Sequence, residues 1–365
     1  MSKAYLVLEN GMIFEGESFG AKGEVVGEVV FTTGVTGYLE TLTDPSYHGQ
    51  LIIQTFPLIG NYGVITEDFE SAGIGARGYI VKEWCKEPSN FRNEGDLHNF
   101  LAKSGVVGLC GVDTRQITKI IRENGVMNGK IMGKKPERAD LNEIKKYAVV
   151  NAVAEATSAR GTAKKGEKIK DGAIALMDFG AKRNIIRELE KRGERVHVFA
   201  HNATAAEILA SKPKGIMLSN GPGDPSENVG IIKELAKLIK SGIPIFGICL
   251  GHQLLALAHG FATEKLKYGH RGANQPVRDV ATGRVHITSQ NHGYAVKWES
   301  VDMRAARELF VNVNDGTNEG LEYLNAPIFS VQFHPEACGG PLDTNYLFDK
   351  FIENINNVGG EVHCR

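Results

Sequence analysis

The chain has 365 residues, 42% hydrophobic and 23% charged, which is too long for a small stapled scaffold and too apolar for a disordered chain; two globular domains are expected. With 42 basic and 43 acidic side chains, the formal charge of -1 gives no electrostatic footprint for nucleic acid or an anionic membrane surface. The opening residues Met1 to Glu9 place an acid where the apolar stretch of a signal peptide would continue, no apolar run approaches a membrane span, and five scattered cysteines (Cys85, Cys110, Cys249, Cys338, Cys364) never form Cys-x-x-Cys. A cytoplasmic chain without disulfide framework or metal site is the expectation.

In chain order, Tyr5 to Leu8, the pair Asn10-Gly11, Met12 to Phe14 and Val25 to Thr33 predict antiparallel β-structure opened by a hairpin. Helical spacing enters sparsely before residue 150, at Leu97 to Lys103 and Thr114 to Asn124. A sheet-rich mixed domain is therefore expected over residues 1–150, its topology left open. Residues 151–172 lack aromatics and are dense in lysine and small side chains, as a linker would be.

Beyond residue 172 strands and helices alternate. Ala173 to Met177 is followed by a helix carrying Ile185, Ile186 and Leu189, then strand Arg195 to Phe199, helix Ala205 to Ala210, strand Gly215 to Leu218, helix Val229 to Lys240 and strand Pro244 to Ile248. This rhythm predicts an α/β domain over 173–365, with a mainly parallel sheet covered by helices. The tail, with Leu347, Phe348, Phe351, Ile352 and Ile355 at helical spacing, should close one face.

Gly247-Ile248-Cys249-Leu250-Gly251 lies where a buried strand gives way to a helix, the arrangement of a nucleophile elbow with sulfur in place of oxygen. Flanking glycines permit the sharp turn, and the positive end of the following helix favours the thiolate. Phe333-His334-Pro335-Glu336 follows the apolar run Ile328 to Val331, so His334 should stand at a strand's C-terminal end with Glu336 holding its tautomer. Cys249, His334 and Glu336 thus form a candidate Cys-His-Glu triad. His292 is the rival base, without a partner visible in the sequence, and His252 reads as packed. Ser219-Asn220-Gly221-Pro222-Gly223-Asp224-Pro225 is a candidate source of backbone N–H groups for an oxyanion, with the Leu250 N–H as the second donor. Gly73-Ile74-Gly75-Ala76-Arg77-Gly78 fits a dinucleotide fingerprint but precedes a strand-like run where a helix must open, and the chain has no P-loop motif.

Taken together, Gly247 to Gln253, Phe333 to Ala337 and Gly221 to Pro225 resemble the class I (triad) glutamine amidotransferases over about residues 173–357. Phe31 to Tyr38, Thr43 to Tyr47, Gly60 to Gly63, Ser89 to Arg92 and Asp113 to Arg115 resemble the family of small, glutaminase subunits of carbamoyl-phosphate synthase. The resemblance implies hydrolysis of the L-glutamine side-chain amide through a thioester on Cys249. It also implies ammonia delivery to a large synthetase subunit, with ATP and magnesium confined to that partner and no cofactor in this chain. It places glutamine binding on Ser46, Gly221, Gly223, Leu250, Gln253, Asn291, Gly293 and Tyr294. Tyr294 departs from the phenylalanine of the family, and Cys338-Gly339-Gly340-Pro341 replaces its serine-proline-glycine-proline. The competing readings are an amidotransferase of another biosynthetic complex, a free-standing cysteine hydrolase and a non-catalytic docking subunit.

Overall fold

The computed structural model describes residues 2–158 and 171–361. The chain divides into two compact units, residues 1–150 and 151–365.

The first unit is built on a closed barrel. Lys3–Leu8 (β1) and Ile13–Gly20 (β2) form the expected hairpin in the register Leu6 to Phe14. In its turn the Gly11 N–H donates to the Leu8 carbonyl at 2.8 Å. Val25–Thr32 (β3), Gln50–Gln54 (β4), Gly78–Ile80 (β5), Val107–Cys110 (β6) and Met127–Met132 (β7) complete a ring in the order β1-β2-β6-β5-β4-β3-β7, closing back onto β1. β4 runs parallel to β3 and β5, and β5 parallel to β6; the remaining pairs are antiparallel. Leu97–Lys103 (α1) and Thr114–Asn124 (α2) start on aspartate caps: the Asp96 carboxylate accepts from the Asn99 N–H and Asp113 from that of Gln116, both at 2.9 Å. The glycine-rich segment 73–78 leads into β5, so it opens a strand and not a helix.

The second unit begins with a helix, Ala152–Ser158 (α3), inside the stretch whose composition suggested a linker. Ala152, Val153, Ala156 and Thr157 are buried, so small side chains here serve close packing. The remainder of that stretch, residues 159–170, lies outside the described residues.

Strands and helices then alternate as expected: Ile174–Asp178 (β8), Arg183–Lys191 (α4), Val196–Ala200 (β9), Ala205–Ala210 (α5), Gly215–Leu218 (β10), Val229–Leu238 (α6), Ile245–Ile248 (β11) and Leu250–Ala258 (α7). Next come Thr263–Asp279 (β12), Val285–Val296 (β13), Ala306–Asn312 (β14), Asn318–Tyr323 (β15), Ile328–Val331 (β16) and the helix Leu347–Glu361 (α8). The sheet order is β9-β8-β10-β11-β16-β15-β14-β12-β13. β9 to β16 are parallel, and the four strands beyond are antiparallel additions. The long β12–β13 hairpin has no counterpart in the sequence reading.

Side chains along the parallel strands alternate between two cores. Ala175, Met177, Ile216, Leu218 and Ile245 join one cluster, and Ile174, Leu176, Met217, Phe246 and Ile248 the other. Both faces must therefore be covered, which accounts for the unbroken apolar runs. The tail helix α8 covers the second cluster, with Phe351 and Phe348 on Phe246, which stacks on Phe329 at 4.4 Å. Among the described residues no helix is long and apolar enough to cross a membrane.

The turn from β11 into α7 is a tight junction. A Cβ on Gly247 would sit 2.9 Å from the Gly251 carbonyl carbon, and one on Gly251 would sit 2.5 Å from the Leu218 carbonyl oxygen. Backbone lies on the far side of both contacts, so neither can yield by a rotamer change. Gly251→Ala should lower unfolding free energy by about 3 kcal/mol through overpacking, read as a reduced urea midpoint at unchanged slope.

Candidate active site

Adjacent parallel strands deliver the site at their C-terminal ends, the edge where α/β sheets bind ligands. Lys182 follows β8, the loop Ser219 to Asp224 follows β10, Cys249 follows β11, and His334 follows β16.

Cys249 sits between strand and helix at φ 52 and ψ -103, a backbone conformation side chains seldom adopt. Its N–H donates to the Val331 carbonyl at 2.8 Å, and its carbonyl accepts from the Gln253 N–H at 3.2 Å, so neighbouring strand and helix hold it there. The thiol is buried and points to the Asn291 carbonyl, 3.8 Å away.

The His334 ring is fixed by Glu336, whose Oε1 accepts from Nδ1 at 2.7 Å, while Nε2 has no hydrogen-bond partner among the described residues. Burial and the Lys182 ammonium both oppose a charge on His334. Glu336 and the nearby Cys249 sulfur outweigh them, and its pKa is pushed up to about 10. Burial opposes ionisation of Glu336 as well, but His334 and Lys182 hold its carboxyl below the usual range. An imidazole set between a carboxylate and a sulfur can carry a proton to and from a cysteine nucleophile.

Lys182 was not singled out by sequence reasoning. Its ammonium lies 3.5 Å from Glu336 Oε1, with the side chain 9% exposed. Its N–H donates to Asn220 Oδ1 at 3.0 Å, tying the loop after β8 to the loop after β10. A lysine at a helix entrance reads as solvated surface, and only the fold places it against a carboxylate.

Of the expected glutamine-binding positions, Gly221, Gly223, Leu250, Gln253, Asn291, Gly293 and Tyr294 belong to the same unit as the triad, and Ser46 to the first unit. At Gly223 and Leu250 no acceptor for the backbone N–H is found among the described residues, leaving both free to donate. Gly221 packs so closely on Leu250 that a Cβ would lie 2.7 Å from Leu250 Cδ2. Asn291, Gly293 and Tyr294 lie on β13, with Lys265 above the Tyr294 ring at 5.9 Å. The Gln253 amide donates to the Tyr294 carbonyl at 2.7 Å and to Gln332 Oε1 at 2.9 Å, pinning β13 to α7. Ser46 is buried in the turn Pro45–Tyr47, its N–H donating to Asp44 Oδ1 at 2.9 Å.

Three other buried histidines of this unit, His252, His292 and His270, are engaged elsewhere. His252 is packed, its Nδ1 2.8 Å from Ser330 Oγ, and burial pushes its pKa down to about 3. His292 is engaged at both nitrogens, by the Tyr294 carbonyl at 2.8 Å and Gln290 Oε1 at 3.1 Å. Burial, with the neighbouring His270 charge, holds it well below the usual range. His270 lies between Asp315 at 2.8 Å and Glu319 at 3.4 Å. His270, His292 and Glu319 each bring a ligand atom within 4.8 Å of the others, but the carboxylates already claim both His270 nitrogens.

The model of the class I glutamine amidotransferase family matches residues 175–354, within the second unit. A second model, carbamoyl-phosphate synthase small chain, CPSase domain, matches residues 6–131. The chain is 50% identical over 352 residues to the carbamoyl phosphate synthase small chain of Clostridium perfringens (strain 13 / Type A), covering 96% of this chain and 99% of that one. It is 47% identical over 367 residues to that of Listeria monocytogenes serotype 4b (strain F2365), covering all of both. A glutamine amidotransferase from Thermotoga maritima matches in structure with TM-score 0.37 and 18% identity, covering 53% of this chain and 86% of that one. The chain belongs to the carbamoyl phosphate synthase small chain family.

The His270 cluster makes a pH prediction. Burial disfavours its cation, but Asp315 and Glu319 win and push its pKa up to about 9. Because the folded value exceeds the unfolded one near 6.5, the stabilisation is complete below about pH 6.5 and lost as pH rises through about 9. Its size is of order 3 kcal/mol. Urea unfolding between pH 6 and 10 should show this loss in the wild type and a flatter profile in His270→Gln.

Proposed function

We propose that this chain is the glutaminase subunit of a glutamine-dependent carbamoyl-phosphate synthase, releasing ammonia for a large ATP-dependent subunit. The observation that carries the chemistry is His334: Glu336 holds one ring nitrogen at 2.7 Å, no other side chain among the described residues takes up the second, and the Cys249 sulfur is near enough to support the ring's charge. The restriction to carbamoyl phosphate rests on kinship along both units, since the first unit has its own family match.

In this mechanism the Cys249 thiolate attacks the side-chain carbonyl carbon of glutamine, forming a C–S bond and a tetrahedral oxyanion. The Gly223 and Leu250 N–H groups receive the oxyanion. As the C–N bond breaks, His334 gives its Nε2 proton to the departing ammonia, leaving a glutamyl thioester. His334 then takes a proton from water, which attacks the thioester and releases glutamate and the Cys249 thiolate. Glu336 keeps Nδ1 protonated throughout, and Lys182 fixes Glu336. Gln253, Asn291, Gly293 and Tyr294 hold the substrate beside the sulfur. This chain uses no cofactor; ATP and magnesium act in the large subunit.

Cys249→Ala in the complex should reduce glutamine-dependent synthesis at least about a thousandfold while synthesis from added ammonia persists. Loss of both activities would assign the residue to folding or assembly. His334→Ala should be about as damaging as loss of the sulfur and Glu336→Gln about tenfold milder; elimination of turnover by substitution of His292, and not of His334, would overturn the triad.

The isolated chain should hydrolyse glutamine slowly, and the large subunit with ATP and bicarbonate should raise the rate. A ~100-fold rise needs only about 2.7 kcal/mol of preferential binding to the competent state. Steady-state ammonia release with and without the partner measures it, and equal, fast rates would favour a free-standing hydrolase.

A further inference from the structure

The loop carrying Gly223 is backed by α3. Val153 is anchored in one of the two cores of the unit. Thr157 donates its hydroxyl proton to the Val153 carbonyl at 2.8 Å, and its Oγ1 lies 2.9 Å from His201 Nδ1, which ties the helix to the end of β9. The helix is thus held independently of the loop it faces.

Its first residue meets that loop directly. Gly223 stands at φ 87, and a Cβ built on it would lie 2.7 Å from the Ala152 Cβ. A side chain at Gly223 has no room on that side unless the Gly223 peptide or the Ala152 methyl moves. Alongside the contact lies a cavity of about 380 Å³, lined by Ala152, His201, Thr204, Pro222, Asp224 and Asn228 among others. The loop therefore has space beside it and a firm stop at one point, the Ala152 methyl.

We infer that Ala152 is a positioning residue for amide hydrolysis: through its contact with Gly223, α3 sets where the Gly223 N–H points and so completes the oxyanion site. The inference rests on the reading of Gly223 as an oxyanion donor. Such a donor must be aligned with the oxygen of the transition state, whereas ground-state glutamine has other holds. A displaced Gly223 should therefore lower kcat and leave KM nearly unchanged. The helix opens two residues beyond Val150, where the first unit ends, so the segment by which the chain leaves that unit is the one that backs the oxyanion loop.

The test uses Ala152→Met, which pushes on the loop, and Ala152→Gly, which removes the stop, each in the complex with the large subunit. Glutamine turnover, ammonia-dependent synthesis and alkylation of Cys249 by iodoacetamide are followed together, with alkylation located by peptide mass spectrometry. In alkylation the Cys249 sulfur forms a bond to carbon as iodide leaves, and no tetrahedral oxyanion arises. The expected result is a kcat loss of ~10–100-fold for Ala152→Met and a smaller loss for Ala152→Gly. KM should stay within about threefold, and alkylation and ammonia-dependent synthesis within about twofold. Unchanged kcat in Ala152→Met, or kcat and alkylation falling together, overturns the inference. Gly223→Ala separates the two levels: if it is damaging while Ala152→Met is silent, only the role of α3 falls. If Gly223→Ala turns over glutamine normally, the oxyanion reading falls and the inference with it.

Discussion

The second unit depends on one close approach of backbone to backbone, Gly247 against Gly251 and Gly251 against the Leu218 carbonyl. That approach lets β11 turn into α7 without an intervening loop, and it forces Cys249 into a left-handed conformation. The sulfur consequently stands above the sheet edge, the Leu250 N–H is left free to donate, and His334 at the end of β16 comes within electrostatic reach. A glycine at position 249 would relieve the strain and remove the proposed nucleophile, so on that proposal stability and activity favour different residues there.

Charge at the site is organised in two layers, the first of them buried. In one, Lys182, Glu336 and His334 form a line that ends at Cys249. In the other, Asp315 and Glu319 hold His270, whose ring meets that of His292 edge-on at 4.9 Å. Burial, with that neighbouring charge, holds the pKa of His292 well below its usual range, and its ring is bonded to the Tyr294 carbonyl, which Gln253 also grips. The strand that faces the sulfur is thus fixed from both sides before any substrate arrives, the preorganisation that lowers the cost of reaching a charged transition state.

The parallel half of the sheet was legible because its four inner strands are buried on both faces and read as apolar runs ending at a turn. Cys249 and His334 were legible for a related reason: both follow such runs, and strand ends are where these folds place chemistry. The barrel escaped because its closure depends on pairings between distant segments, such as β3 with β7, that no local pattern encodes. The β12–β13 hairpin escaped because its exposure changes irregularly along the strand and its register shifts twice, after Lys265 and after Gly272. Lys182 and Ala152 escaped because a lone lysine and a lone alanine carry no pattern; their significance lies in what the fold sets against them.

Closure of the barrel has a consequence for recognition. Each of its strands is hydrogen-bonded on both sides, so the ring offers no unpaired edge to which another chain could add a strand. A protein that binds the barrel must read side chains and loop ends instead of main-chain amides. The code for such an interface would be written in surface residue identity, which substitution can redirect without loosening the scaffold beneath.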